Sequence, residues 1–170
     1  MKLNLGCGIH KLKGWVNVDY NPEYKPDMVV DLNKIPLSWK DNTIDEINCF
    51  HIIEHLNDIR AFMKELYRIG KNGCVIHFRY PHFSDRSAYA DPTHKHYLSH
   101  ASLQYFEEVH LKEPEALTHD IRFRTIRKKV NCNPLFSFLV NLNPDFWERH
   151  RILLLLSGMH EIELDLMVIK

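Results

Sequence analysis

The first two strand patterns of this chain lie so close together that they restrict what it can fold into. Lys2 to Leu5 is a short apolar run closed by Gly6 and Gly8, and Trp15 to Val18 is a second, preceded by Gly14. Only ten residues separate Leu5 from Val16, near the shortest crossover that can lay one strand parallel to another. Any helix there is vestigial, a single turn. Such a helix offers no dipole to a pyrophosphate, so the spacing argues against a dinucleotide and for a cofactor without phosphate.

The flanking residues suit such a ligand. Gly6 and Gly8 let the backbone pass close to it, where a Cβ would occupy its space. Asp19, at the end of the second strand, can accept both hydroxyls of a ribose. A third run, Met28 to Leu32, contains Asp31, placed to sit beside a base. A fourth, Asp45 to Phe50, follows the polar turn Lys40 to Thr43.

From Asn57 the period changes. Ile59, Phe62, Met63, Leu66 and Tyr67 recur at helical spacing, with Arg60, Lys64 and Arg68 on another face. Asn57 or Asp58 can cap this helix, and Gly70 supplies a left-handed stop before the turn Lys71 to Gly73. Cys74 to Tyr80 is a fifth strand, halted by Pro81. Strand, helix and strand in that order predict a parallel βαβ unit. Residues 81–100 read as a long polar loop, Leu103 to Leu111 as helix, Arg122 to Val130 as strand, Pro144 to Leu156 as helix and Ile162 to Ile169 as a half-exposed strand.

In order, LNLGCG, GWVNVD, VVDLNKIPL, NTIDEINCFHIIEHL and KELYRIGKNGCV resemble the motifs of the small class I, Rossmann-like S-adenosylmethionine-dependent methyltransferases, over roughly residues 2 to 80. The resemblance implies a three-layer α/β fold with a mostly parallel seven-stranded sheet, an antiparallel last strand and a shortened first helix. It implies S-adenosylmethionine as cofactor. Gly6 and Gly8 would line its methionine part with Cys7 between them, Asp19 and Tyr20 its ribose, Asp31 and Leu32 its adenine, and Phe50 and His51 the wall after the fourth strand. Glu65, Arg68, Gly70 and Gly73 look like the family's junction between helix and fifth strand.

The histidines are the candidates for chemistry. His51, Glu54 and His55 follow the fourth strand at the carboxyl edge, where open α/β sheets hold their sites. A His beside a carboxylate can take a proton from an acceptor as the methyl arrives; Glu54 and His55 can equally brace the next helix. In the loop, Tyr80, His82, Asp91 and His94 are expected as substrate contacts under a lid. His51, His55, His82 and His94 are thus the catalytic candidates. His94 and His96 with nearby carboxylates could ligate a metal, but no HxxxH or CxxC framework fixes them, and no metal site is expected.

Composition narrows the partners. The chain has 170 residues, 45% hydrophobic and 26% charged, the balance of a single compact domain, 1-170. Lys+Arg and Asp+Glu cancel at 22 each, so no global field draws nucleic acid or an anionic membrane. Arg122, Arg124, Arg127, Lys128 and Lys129 read as a charge-protected edge strand. No stacking aromatics interleave them, and a nucleic-acid partner is not expected. Four separated cysteines without a signal or spanning segment read as reduced, buried thiols of a cytoplasmic protein. A small-molecule methyl acceptor is favoured. The rivals are a catalytically degenerate module serving a partner protein and a nicotinamide-dependent oxidoreductase, the latter disfavoured by the missing GxGxxG.

Overall fold

The computed structural model describes residues 1–107 and 120–170. Seven strands form one sheet: β1 (Lys2–Leu5), β2 (Val16–Asp19), β3 (Met28–Val29), β4 (Ile44–Phe50), β5 (Gly70–Pro81), β6 (Phe123–Asn131) and β7 (Glu161–Val168). Their spatial order is β3-β2-β1-β4-β5-β7-β6. The pairs among β1 to β5 are parallel, while β7 runs antiparallel between β5 and β6. The expected sheet, with its antiparallel last strand, is therefore present. The third strand pairs only over Met28–Val29, shorter than the run Met28 to Leu32.

One face of the sheet makes the core. Leu3, Leu5, Ile47, Cys49, Ile76, Phe78, Ile162, Leu164 and Leu166 are at most 1% exposed, and α1 (Ile59–Ile69) seats Phe62, Met63, Leu66 and Ile69 in the same cluster. Fully burying each such side chain contributes about 1.5–3 kcal/mol. Asp58, not Asn57, caps α1, accepting from the Ala61 N–H at 3.0 Å. At the far end the left-handed residue is Gly73 (φ 82°), whereas Gly70 is extended. A side chain at Gly70 would still be crowded, since a Cβ would stand 3.0 Å from the Leu66 carbonyl and 3.2 Å from Cys74. Glu65, 4% exposed, accepts from the Leu37 N–H and holds Arg68, whose guanidinium also bonds the Leu37 and Trp39 carbonyls.

The opposite face is polar. Asn17, Asn4, Asn48, His77, Asp165 and Arg127 stand in register across six strands. The amide of Asn4 donates to Asn17 Oδ1 at 3.0 Å and that of Asn48 to Asn4 Oδ1 at 2.8 Å. His77 bridges Asp165 and Glu46 at 2.8 and 3.0 Å. No helix joins β1 to β2, so the reduction goes further than the single turn implied by the short crossover. The loop is instead pinned from beneath: Asn4 donates to the His10 carbonyl, and Asn17 both accepts from the Leu12 N–H and donates to the Leu12 carbonyl. Among the described residues, part-exposed charges stand where a second helical layer would cover this face.

After β5 come a five-residue helix, α2 (Arg86–Ala90), and a 3₁₀ turn, Ser102–Phe106, inside the stretch read as loop and helix. Glu107, inside the helix expected to Leu111, is extended and bridges to Phe123, and residues 108–111 lie outside the described residues. Pro144 to Leu156 is two helices, α4 (Pro144–Arg149) and α5 (Arg151–Ser157), broken at the extended His150; α3 (Ser137–Leu142) precedes them. β6 is the sheet edge, and Arg127 on it pairs with Glu163 at 2.9 Å.

Candidate functional site

The parallel strands deliver their carboxyl ends to a single cleft. Its volume is about 800 Å³, within the range of cofactor pockets. Gly6 after β1, Asp19 and Tyr20 at the end of β2, Val30 to Asn33 after β3, and His51, Ile52, His55 and Leu56 after β4 line it. Asp91, Pro92, Thr93 and Lys95 close one side. That side is stitched to the β4 edge: the Lys95 N–H donates to the Glu54 carbonyl at 2.8 Å, His96 Nε2 to the Leu56 carbonyl at 2.8 Å, and Lys95 Nζ to Asn57 Oδ1 at 2.6 Å.

Local strain marks the strand ends. Gly6 has φ 65°, and a Cβ there would lie 2.9 Å from Ile52. The glycine thus makes room for the Ile52 wall of the cleft as well as for a left-handed turn. Gly8, also left-handed at φ 48°, has open space around it and donates its N–H to Asp19 Oδ2 at 2.8 Å. The other Asp19 oxygen accepts from the Asn21 N–H at 2.9 Å, so a residue 5% exposed is held fixed beneath the cleft. His51, a non-glycine at φ 52°, departs from ordinary geometry as residues at functional sites often do. Its Nδ1 lies 3.4 Å from Glu54 Oε1 and its Nε2 3.1 Å from Glu161 Oε1. Glu54, and to a lesser degree Glu161, raise the His51 pKa against the opposing effect of burial.

Residues 3–78 match the family described as "Methyltransferase domain". Over those residues the chain is similar to the methyltransferase-domain family, and its fold as a whole is that of solved S-adenosylmethionine-dependent methyltransferases. A methyltransferase from Archaeoglobus fulgidus aligns with 98% of this chain and 85% of its own at TM-score 0.61 and 20% identity. One from Mesorhizobium loti does so over 98% and 89% at TM-score 0.62 and 14% identity. A solved [4+2]-cyclase, SpnF, aligns over 98% and 74% at TM-score 0.59 and 11% identity. At these identities the likeness is one of fold. No curated protein matches the chain.

S-adenosylmethionine is the cofactor of the two aligned methyltransferases, and the residues lining the cleft here fit it. Two carboxylates, Asp19 and Asp31, face the cleft and no helix opens onto it from the β1–β2 loop. That charge pattern disfavours a phosphate and suits a neutral nucleoside joined to a sulfonium cation. Val30, Leu32 and Ile52 add apolar wall for a base.

The structure brings together many of the expected site residues. Gly6, Asp19, Tyr20, Asp31, Leu32, His51, His55 and Asp91 all line the cleft. Cys7 and Gly8 lie one step behind Gly6; Phe50 sits under the Arg79 guanidinium, 4.6 Å from its ring centre. His82 is not at the cleft: it is 0% exposed, with Nδ1 on Ser84 and Nε2 donating to Glu148 at 2.7 Å. Tyr80 is likewise buried, its hydroxyl on the Ser99 carbonyl. His94 stands behind the lining, edge-on to His55 at 4.7 Å between ring centres. Thr93, Lys95, Ile52 and Asn33 were not singled out from sequence, since nothing in an isolated polar or apolar residue reveals which loops fold together. All four cysteines are buried free thiols. Among the described residues no helix is long and apolar enough to cross a membrane.

Proposed function

We propose that this chain, acting as one domain over 1-170 in the cytoplasm, transfers a methyl group from S-adenosylmethionine to a small-molecule acceptor. The observation that carries the reading is the cleft itself, where Gly6, Asp19, Asp31 and His51 meet at four adjacent strand ends. When bound, S-adenosylmethionine supplies a carbon already electrophilic on its sulfonium. The chain's work is then to hold, orient and dry the reactants, which needs few catalytic residues. Asp19 grips the ribose diol, Asp31 and Leu32 frame the base, and His51 and His55 face the open side beside Asp91 to Lys95. A histidine there can hold or take the acceptor's proton at an imidazole nitrogen.

The test is calorimetry with S-adenosylhomocysteine, with NAD as the comparison ligand. We expect one site for S-adenosylhomocysteine, none for NAD, and about tenfold or greater weakening in Asp19→Ala, the equivalent of losing a charge-assisted hydrogen-bond pair. Absence of binding at millimolar concentration would overturn the reading. Turnover of an acceptor panel then separates an enzyme from a second reading, a degenerate module serving a partner protein. That alternative is favoured by one observation: Phe138, Leu139 and Leu142 on α3, Phe146 on α4 and Ile152, Leu155 and Leu156 on α5 are all large apolar side chains left exposed.

A further inference from the structure

Behind the His55 wall of the cleft lies a group of side chains that methyl transfer does not explain. Glu54 is 1% exposed, and both its carboxylate oxygens are shut from water without a hydrogen-bond partner. Burying a carboxylate so costs several kcal/mol unless a cation meets it. The nearest is His51, with Nδ1 at 3.4 Å and its other nitrogen engaged with Glu161. On the other side of Glu54 stand two imidazoles. One ligand atom each of Glu54, His55 and His94 lie within 4.8 Å of one another.

The hydrogen bonds around the two imidazoles settle which nitrogen each presents. His94 Nδ1 lies 2.9 Å from the Ala88 carbonyl, which can only accept, so Nδ1 carries a proton and the neutral ring presents its lone pair at Nε2. Thr93 Oγ1 donates its single proton to Asp91 Oδ1 at 2.6 Å, and therefore accepts from His55 Nδ1 at 2.9 Å. The neutral His55 ring likewise presents its lone pair at Nε2. A carbonyl or a hydroxyl–carboxylate relay that fixes the outer nitrogen is the arrangement found around metal-binding histidines. His96, by contrast, spends its Nε2 on the Leu56 carbonyl.

We propose that Glu54, His55 and His94 bind a divalent transition-metal ion of the zinc or iron(II) class, for which two imidazoles and one carboxylate are a matched donor set. With ligand bonds of about 2.0–2.2 Å the three atoms draw in by roughly 1 Å, a movement within reach of side-chain rotation. The ion gives the buried Glu54 a direct ligand bond, where His51 at 3.4 Å leaves both its oxygens without a hydrogen-bond partner. Because His55 also lines the cleft, the ion stands where it can hold an acceptor oxygen or nitrogen and lower its pKa. That use rests on the methyl-transfer reading; metal binding itself does not.

The experiment strips the full chain with a chelator and titrates it with Co²⁺, read by visible d–d absorption, then with competing Zn²⁺. One ion per chain is expected, and Glu54→Gln, His55→Gln and His94→Gln should each weaken it about 10- to 100-fold or more. His10→Gln, with an exposed side chain away from the cluster, should leave it unchanged. S-adenosylhomocysteine affinity of the Glu54→Gln and His94→Gln variants, and the far-ultraviolet circular dichroism of His55→Gln, whose side chain lines the cleft, report that the fold is intact. If wild type binds no Co²⁺ at millimolar concentration, or if Glu54→Gln and His94→Gln bind as tightly as wild type, the metal site is overturned. Retained S-adenosylhomocysteine binding in that case leaves the methyl-transfer reading standing, and its loss beside intact Co²⁺ binding does the reverse.

Discussion

Single residues in this protein do work that their neighbours in sequence do not reveal. Glu148 on α4 reaches back to accept from His82 and His100, tying the carboxyl-terminal helices to the loop after β5. Burial alone would push its carboxyl up, but the hydrogen bonds from His100 and His82 outweigh it and hold the group at about 2, against an ordinary 4.5. The folded state therefore binds fewer protons than the unfolded chain between those values. Its contribution is complete above about pH 4.5 and is lost as pH falls toward about 2. Glu148→Gln should lower stability at neutral pH by about 1–3 kcal/mol and flatten the acid limb of the stability curve, as read by urea unfolding at a series of pH values. An unchanged acid limb would show that Glu148 is no clasp. From the sequence His82 is a catalytic candidate of the polar loop; what removes it from the site is a partner sixty-six positions away.

At the scale of elements, the β1–β2 loop keeps its shape without a helix because asparagines beneath it replace one. Asn4→Ala would leave the His10 carbonyl, Asn17 Oδ1 and the Asn48 amide each short of a partner. We expect a loss of about 1–3 kcal/mol in chemical denaturation, with weakened S-adenosylhomocysteine binding as the loop loosens. A cost near zero would mean the loop stands by itself. Much of this architecture was legible: β1, β4 and α1 were set out by apolar period and capping residues, and Asp19 by its place at a strand end. The asparagines stand in plain sight in KLNL, WVNV and EINC, but an isolated Asn in an apolar run does not say what it will face. Their common register appears only when the strands pair. The break at His150 and the displaced left-handed glycine lie beyond sequence for a similar reason, since helix ends are decided by what packs against them.

Across the whole molecule, stability should be graded from the sheet centre outward. β1, β4 and β5 pair on both sides and border the apolar core, while β3 contributes two residues at one margin. Hydrogen exchange followed by mass spectrometry should find the amides of Met28–Val29 exchanging well before those of Ile47 to Cys49; equal protection would contradict the grading. The sheet's polar face has a bearing on how the chain assembles at all. Parallel strands must find one another across long loops, and a slip of one residue turns every side chain to the opposite face. Here such a slip would drive Asn4, Asn48 or Asp165 into the layer filled by Leu3, Ile47 and Leu164. The row of polar side chains thereby proofreads the alignment of six strands.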